Sequence, residues 1–187
     1  MNKLPPYLLG TPAVISDDGK YRYWLERDLA GIGTGTFAVV FIMLNPSTAD
    51  ATQDDPTIRR CIGYARKWNA GRLIVVNLFA LRATDPRQLW AEHTVDPVGP
   101  LNDEAIYRAC DVAHGDRHDG GKIICAWGNH GSYMDRGDTV RGQIEKHFGA
   151  PLALRISKSM RPAHPLYLPA SLEPCPWPTH PNHRGGE

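Results

Sequence analysis

Four stretches of the chain are almost wholly apolar, and each ends in small or polar residues. Residues 37–44 run into Asn-Pro-Ser-Thr; 72–81, RLIVVNLFAL, hold one polar side chain after their first residue, Asn77. Residues 122–131, KIICAWGNHG, stop at Gly-Asn-His-Gly, and the shorter 151–157, PLALRIS, leads into Lys158. Apolar runs of this kind, rich in Val and Ile, suit strands covered on both faces. Between them the period turns helical. In 54–68, DDPTIRRCIGYARKW, the residues Ile58, Cys61, Ile62, Ala65 and Trp68 share one face. Asp55 is placed as its N-cap and Pro56 at its first position. Further helices are expected over 84–93, capped by Asp85 before Pro86, over 100–113 and over 132–148. Residues 21–30, YRYWLERDLA, also read as an amphipathic helix. Residues 1–20 read as a loose lead-in and 169–187 as a proline-rich tail. Strands alternating with helices, without a repeat or linker, predict a single α/β domain over 1–187. Its expected form is three-layer α/β/α, around a central, mostly parallel four-stranded sheet.

Composition narrows the classes. With 42% hydrophobic and 22% charged residues, the chain has the profile of an ordinary soluble globular protein. No apolar run approaches the roughly 20 residues a membrane span needs. The N-terminus lacks a signal peptide's layout, so a cytoplasmic location without a membrane partner is expected. Cys61, Cys110, Cys125 and Cys175 form no CxxC pair, which favours reduced core thiols over a zinc or iron–sulfur site. Neither a P-loop nor a dinucleotide loop is present, nor GxSxG, nor HExxH, and no cofactor is expected. A net charge of +1 confines any nucleic-acid contact to a local group, for which Arg59, Arg60, Lys158 and Arg161 are the candidates. The basic face of Arg59, Arg60, Arg66 and Lys67 is equally read as a solvated helix surface.

Each strand delivers its polar residues at its carboxyl end: Asn45, Pro46, Ser47 and Thr48, then Asn77, then Asn129 and His130, then Lys158 and His164. Parallel strands bring those ends to one edge of the sheet, where ligands of open α/β folds bind. Asparagine pairs a donor with an acceptor, which suits the amide-like edge of a nucleobase. Two other classes stay open. One is a non-catalytic nucleic-acid or nucleotide-binding module. The other is a metal-dependent phosphoesterase using Asp50, Asp54 and His130, since Asp50, Asp54 and Asp55 are clustered.

The order of these motifs resembles that of the uracil-DNA glycosylase superfamily. MLNPST is similar to that superfamily's first-strand Q-D-P-Y or N-P-G motif, with Asn45 before the proline. IVVNLFALR resembles the LLLNTVLTVR strand of the founding branch, CAWGNHG resembles LLWGSHA, and HPLYL stands where H-P-S-P-L is found. The resemblance implies a base extruded from double- or single-stranded DNA and hydrolysis of its N-glycosidic bond. It implies that Asn45 and His164 are catalytic: Asn45 orients water and His164 stabilises charge on the leaving base. Pro46, Ser47, Thr48, Asn77, Asn129 and His130 would bind the base, and Leu166 and Tyr167 would fill the gap left in the duplex. The chain departs from the founding branch at Asn45, which orients water but takes no proton, and at Ser47, where an aromatic stands. Leu166-Tyr167 also replaces Ser-Pro-Leu, and the cysteines do not match the iron–sulfur branches. The set NPSTAD, DDPTIRR, WGNHG and HPLYL is, in addition, similar to a prokaryotic and phage family of unknown function (DUF1643-like).

Overall fold

The computed structural model describes residues 3–31, 35–47, 49–85, 87–91 and 95–178. Seven strands form one mixed sheet, ordered β1 (Ala13–Ile15), β2 (Arg22–Asp28), β4 (Arg72–Asn77), β3 (Ala38–Met43), β5 (Lys122–Cys125), β6 (Leu152–Ala153), β7 (Cys175–Pro176). The four strands expected from the apolar runs are β3, β4, β5 and β6, adjacent and mutually parallel. Three further strands correct the four-stranded expectation: β1 and β2 pair antiparallel on the β4 side, and β7 pairs antiparallel with β6.

Helices α1 (Pro56–Lys67), α2 (Gln88–Ala91), α3 (Asn102–Gly115) and α4 (Arg136–Phe148) complete the α/β fold. Both faces of the central strands are covered, which is why their sequence does not alternate. Val39, Phe41, Met43, Leu73 and Val75 pack with Ile58, Cys61 and Tyr64 of α1. Val40, Ile42, Ile74 and Val76 pack with Ile106 and Cys110 of α3 and with Val140 and Ile144 of α4. α1 leads from β3 to a neighbour on one side and lies on one face. α3 and α4 lead the other way and lie on the other face, as a single hand of crossover requires. β3 and β5 are therefore neighbours whose connections diverge, and a crevice opens between their carboxyl ends.

α1 starts where its sequence dictates, with Asp55 Oδ1 accepting the Ile58 amide at 2.8 Å. Elsewhere the expectations need correction. Residues 21–30 are not helical but supply β2. Residues 16–19 turn the chain between β1 and β2, the Gly19 amide donating to Ser16 O at 2.9 Å with Gly19 at φ 71°, and Tyr and Trp favour the pleated surface. The lead-in is likewise ordered, with Leu4, Leu8 and Val14 in the core. β4 stops at Asn77, β5 at Cys125 and β6 at Ala153, all short of the apolar runs that announced them. α4 begins at Arg136 rather than 132, because Met134 and Asp135 take left-handed φ values of 55° and 52°. α2 is described over Gln88–Ala91; Asp85 Oδ1 accepts the Arg87 amide at 2.9 Å, and Pro86 and residues 92–93 of the expected helix lie outside the described residues. The proline-rich tail is part of the fold as far as residue 178, since β7 closes the sheet edge and Trp177 is buried against Trp127 at 5.4 Å. Cys61, Cys110 and Cys125 are buried free thiols, whereas Cys175 is exposed. Burial pushes the Cys110 thiol up to about 12. No described helix is long and apolar enough to cross a membrane.

The indole of Trp127 lies directly on two glycines. A Cβ at Gly131 would sit 2.0 Å from Trp127 Cδ1, and one at Gly137 would sit 2.9 Å from Nε1. Gly131→Ala should therefore cost about 1–3 kcal/mol, read as a lower urea midpoint at unchanged slope.

Candidate functional site

The carboxyl ends of β3, β4 and β5, the start of α1 and residues 163–168 enclose a cleft of about 660 Å³ on the α1 side of the sheet. Asn45, Ser47, Asn77, Asn129, His130, His164, Leu166 and Tyr167 all line it. Residues separated by more than a hundred positions are thus brought together by the sheet edge.

Asn77 sits deepest. It is 1% exposed, and neither its amide nitrogen nor its amide oxygen has a partner. Its register with Met43 sets it on the α1 face, beyond Val75. The backbone behind it is held firmly. Asn102 Nδ2 donates to the carbonyls of Asn77 and Leu78 at 2.9 Å each, and Arg136 Nε donates to Leu78 O at 3.0 Å. The main chain is satisfied while the side chain is left open, and buried amides rarely stay unpaired without a reason.

Asn45 differs. Its Nδ2 donates to Ala83 O at 2.7 Å and to Pro46 O at 3.1 Å, so the amide is fixed and only the oxygen is left to meet a ligand. Pro46 is buried and does not line the cleft, its carbonyl receiving the Ala83 amide at 2.9 Å. Thr48 lies outside the described residues. His164 starts a three-residue 3-10 turn, Pro165–Tyr167, and its Nδ1 accepts the Leu166 amide at 3.3 Å. Burial holds its pKa below the ordinary 6.5, against the opposing charge of Asp55. A neutral ring with Nδ1 accepting carries its proton on Nε2. Stability resting on that neutral ring is fully present above 6.5 and is lost as the pH falls through the depressed value.

Gly128 turns the chain between Trp127 and Asn129. Its φ of 72° and ψ of −166° belong to a region open in practice to glycine alone. Asn129 and His130 are exposed at the rim rather than deep in the cleft. Asn129 Oδ1 accepts from Ser159 Oγ at 2.9 Å, and the His130 ring lies 5.3 Å from Trp90. Tyr167 projects outward, 84% exposed.

The basic candidates separate. Arg60 donates to Leu168 O and Arg161 pairs with Asp138 at 2.5 Å, so both are engaged within the fold. Arg59 is exposed and donates to Asp54 O, and Lys158 is exposed beyond the rim. The acidic cluster is engaged as well. Asp50 Oδ1 receives the Thr52 and Gln53 amides, which hold that carboxyl below its usual range, and Asp54 pairs with Arg27 at 2.8 Å. Among the described residues no three His, Cys, Asp or Glu side chains are grouped to hold a metal ion.

The model of one family, described as Protein of unknown function (DUF1643), matches residues 22–166. The chain belongs to the DUF1643 family. No curated protein and no solved structure matches it. The DUF1643 match spans the cleft from Arg22 to Leu166 and stops just before Tyr167.

Sequence reasoning missed Arg22, Asp55 and Trp127 as lining residues, and Asn102 and Arg136 as the supports of Asn77. The sequence offers Asp55 as a helix cap and as a member of the acidic cluster, not as a lining residue, and nothing in the sequence marks Arg22. Because Asn77 leaves two buried polar atoms unsatisfied, Asn77→Leu should stabilise the ligand-free protein by about 1–2 kcal/mol. Denaturant titration of the two proteins checks this.

Proposed function

We propose that the cleft takes a nucleobase extruded from DNA and hydrolyses its N-glycosidic bond, on an architecture of the uracil-DNA glycosylase kind. The observation that carries this reading is the unpartnered, buried amide of Asn77 at the cleft's end. A donor and an acceptor side by side match the amide-like edge of a base, and burial makes any mismatch costly.

The other residues take roles that follow from their bonding. Asn45, with its nitrogen held by Ala83 O, turns an oxygen toward the cleft that accepts from a water and aims it. His164, its Nδ1 occupied, donates from Nε2 to an oxygen of the base as the bond to the sugar breaks and negative charge grows there. Water then adds to the sugar carbon, and the proton it loses passes through solvent to the departing base. Tyr167, projecting beside Leu166, occupies the place of the extruded base in the stack. A second reading, a binding module without hydrolysis, is favoured by Asn45 itself, which cannot remove a proton from water.

One screen separates the two: purified protein against oligonucleotides carrying uracil, deaminated purines, oxidised or 5-substituted pyrimidines, with alkaline cleavage reporting abasic sites. Release of at least one base, persisting in EDTA, is the expected result. His164→Ala should slow single-turnover release by about 10²–10³, at a nearly unchanged melting temperature. Tyr167→Ala should weaken binding to duplex more than to single strands. Full activity of His164→Ala would sink the mechanism, and binding without release of any base would leave the module reading.

A further inference from the structure

Arg22 is the least expected residue of the cleft. It stands at the start of β2, is 2% exposed and lines the cleft together with Asn77. Its Nη1 donates to Ala49 O at 2.7 Å, and its Nε, also buried, has no partner. Among the described residues it enters no ion pair. The charges that act on it are Asp55 and Asp50, which favour its cation, and Arg82 and Arg27, which oppose it. Desolvation outweighs them all and lowers its pKa to about 10, so it stays a cation at neutral pH without a counter-ion in contact.

An uncompensated buried guanidinium is among the costliest groups a fold can hold. Supporting one carbonyl, Ala49 O, does not require a charge; a neutral donor would serve. Arg22 also lines the same cleft as the unused amide of Asn77. Arg22 Nε and the Asn77 amide nitrogen both lack an acceptor there. Asp55, the one carboxylate lining the cleft among the described residues, already has an oxygen bound by the Ile58 amide. An acceptor-rich, negatively charged ligand balances this inventory, and a planar oxyanion fits the guanidinium fork.

We infer that the cleft binds an anionic nucleobase derivative, with Arg22 on its oxyanion and Asn77 on its amide edge. This rests on the reading of the cleft as a base pocket and not on hydrolysis. The oxyanion has two chemical sources, a carboxylate carried by the base ring or the phosphate of a nucleotide.

Calorimetric titration of the full chain with matched pairs distinguishes them. Uracil against 5-carboxyuracil and cytosine against 5-carboxycytosine test the ring carboxylate. Deoxyuridine and deoxycytidine against their 5′-monophosphates test the phosphate, with inorganic phosphate as the probe lacking a base. In at least one pair the anionic member should bind at least about tenfold more tightly than the neutral one. Arg22→Met should abolish that preference, and Arg22→Lys should keep part of it. Free of ligand, Arg22→Met should melt no lower than the wild type, because removing a desolvated charge offsets the lost bond to Ala49 O; if that variant does not fold, the wild-type pairs and Arg22→Lys decide. Equal affinity within every pair overturns the inference and leaves the base pocket standing. Inorganic phosphate binding as tightly as the monophosphates, with no base bound, keeps the role of Arg22 and overturns the base pocket. No binding of any probe overturns both. A preference that survives Arg22→Met, with a lowered melting temperature, makes Arg22 a structural strut and overturns the inference.

Discussion

Loops that run close to the core must place their carbonyls on donors, and in this chain long basic side chains supply them. Arg27 reaches Asp50, Lys67 reaches Ser171, Arg108 reaches Pro5 and Arg141 reaches Pro178, all as donors to backbone oxygen. Arg60 and Arg136 do the same for Leu168 and Leu78. One of these straps holds Leu168 in the wall of the cleft, and the others fix segments elsewhere that have little regular structure. They also set the surface character. With so many cations turned inward or along the backbone, a chain holding 21 basic residues against 20 acidic ones presents few unengaged charges beside its cleft. A polyanion would be held there by shape and a few contacts more than by a broad positive field.

The same economy separates support from chemistry in the cleft. Asn102 and Arg136 fix the main chain at the end of β4 from the α3 and α4 side, so the Asn77 side chain is free to be unsatisfied on the other. Asn45 is arranged the opposite way, with its nitrogen committed and its oxygen left open. Two asparagines at neighbouring strand ends, similar in sequence context, thus have different capacities: one offers a donor–acceptor pair, the other a single acceptor. The topological switch between β3 and β5 makes room for both.

What was legible in the sequence follows from which forces are local. The four parallel strands and α1 announce themselves because burial on two faces and an Asp-Pro cap leave strong marks within a dozen residues. The convergence of Asn45, Asn77 and His164 was legible too, since parallel strands must bring their carboxyl ends together. β1, β2 and β7 were not: their stability comes from pairing partners far along the chain, and an aromatic-rich segment such as 21–30 fits a helix or a strand until its neighbour is known. Arg22 was hidden for the same reason, because its place in the cleft depends on β2 being a strand beside β4. The basic residues of α1 misled in the other direction. Arg60 and Lys67 clamp the segment that follows His164, a role visible only once residues 165–173 are laid against the helix.

The docking of β7 has a bearing on how the protein is made. Trp127, whose neighbours Gly128 and Asn129 shape the cleft, is covered by Trp177, and Arg141 closes over that second indole at 4.2 Å. On a ribosome the central parallel strands emerge and can pair while residues 175–177 are still being added or are within the exit tunnel. The nascent chain would then hold an assembled sheet with an open edge at β6 and an uncovered tryptophan, a surface suited to capture by a chaperone or by another nascent chain. Completion of the sheet around the cleft is thus tied to the synthesis of residues 175–177, which come after the other described strands.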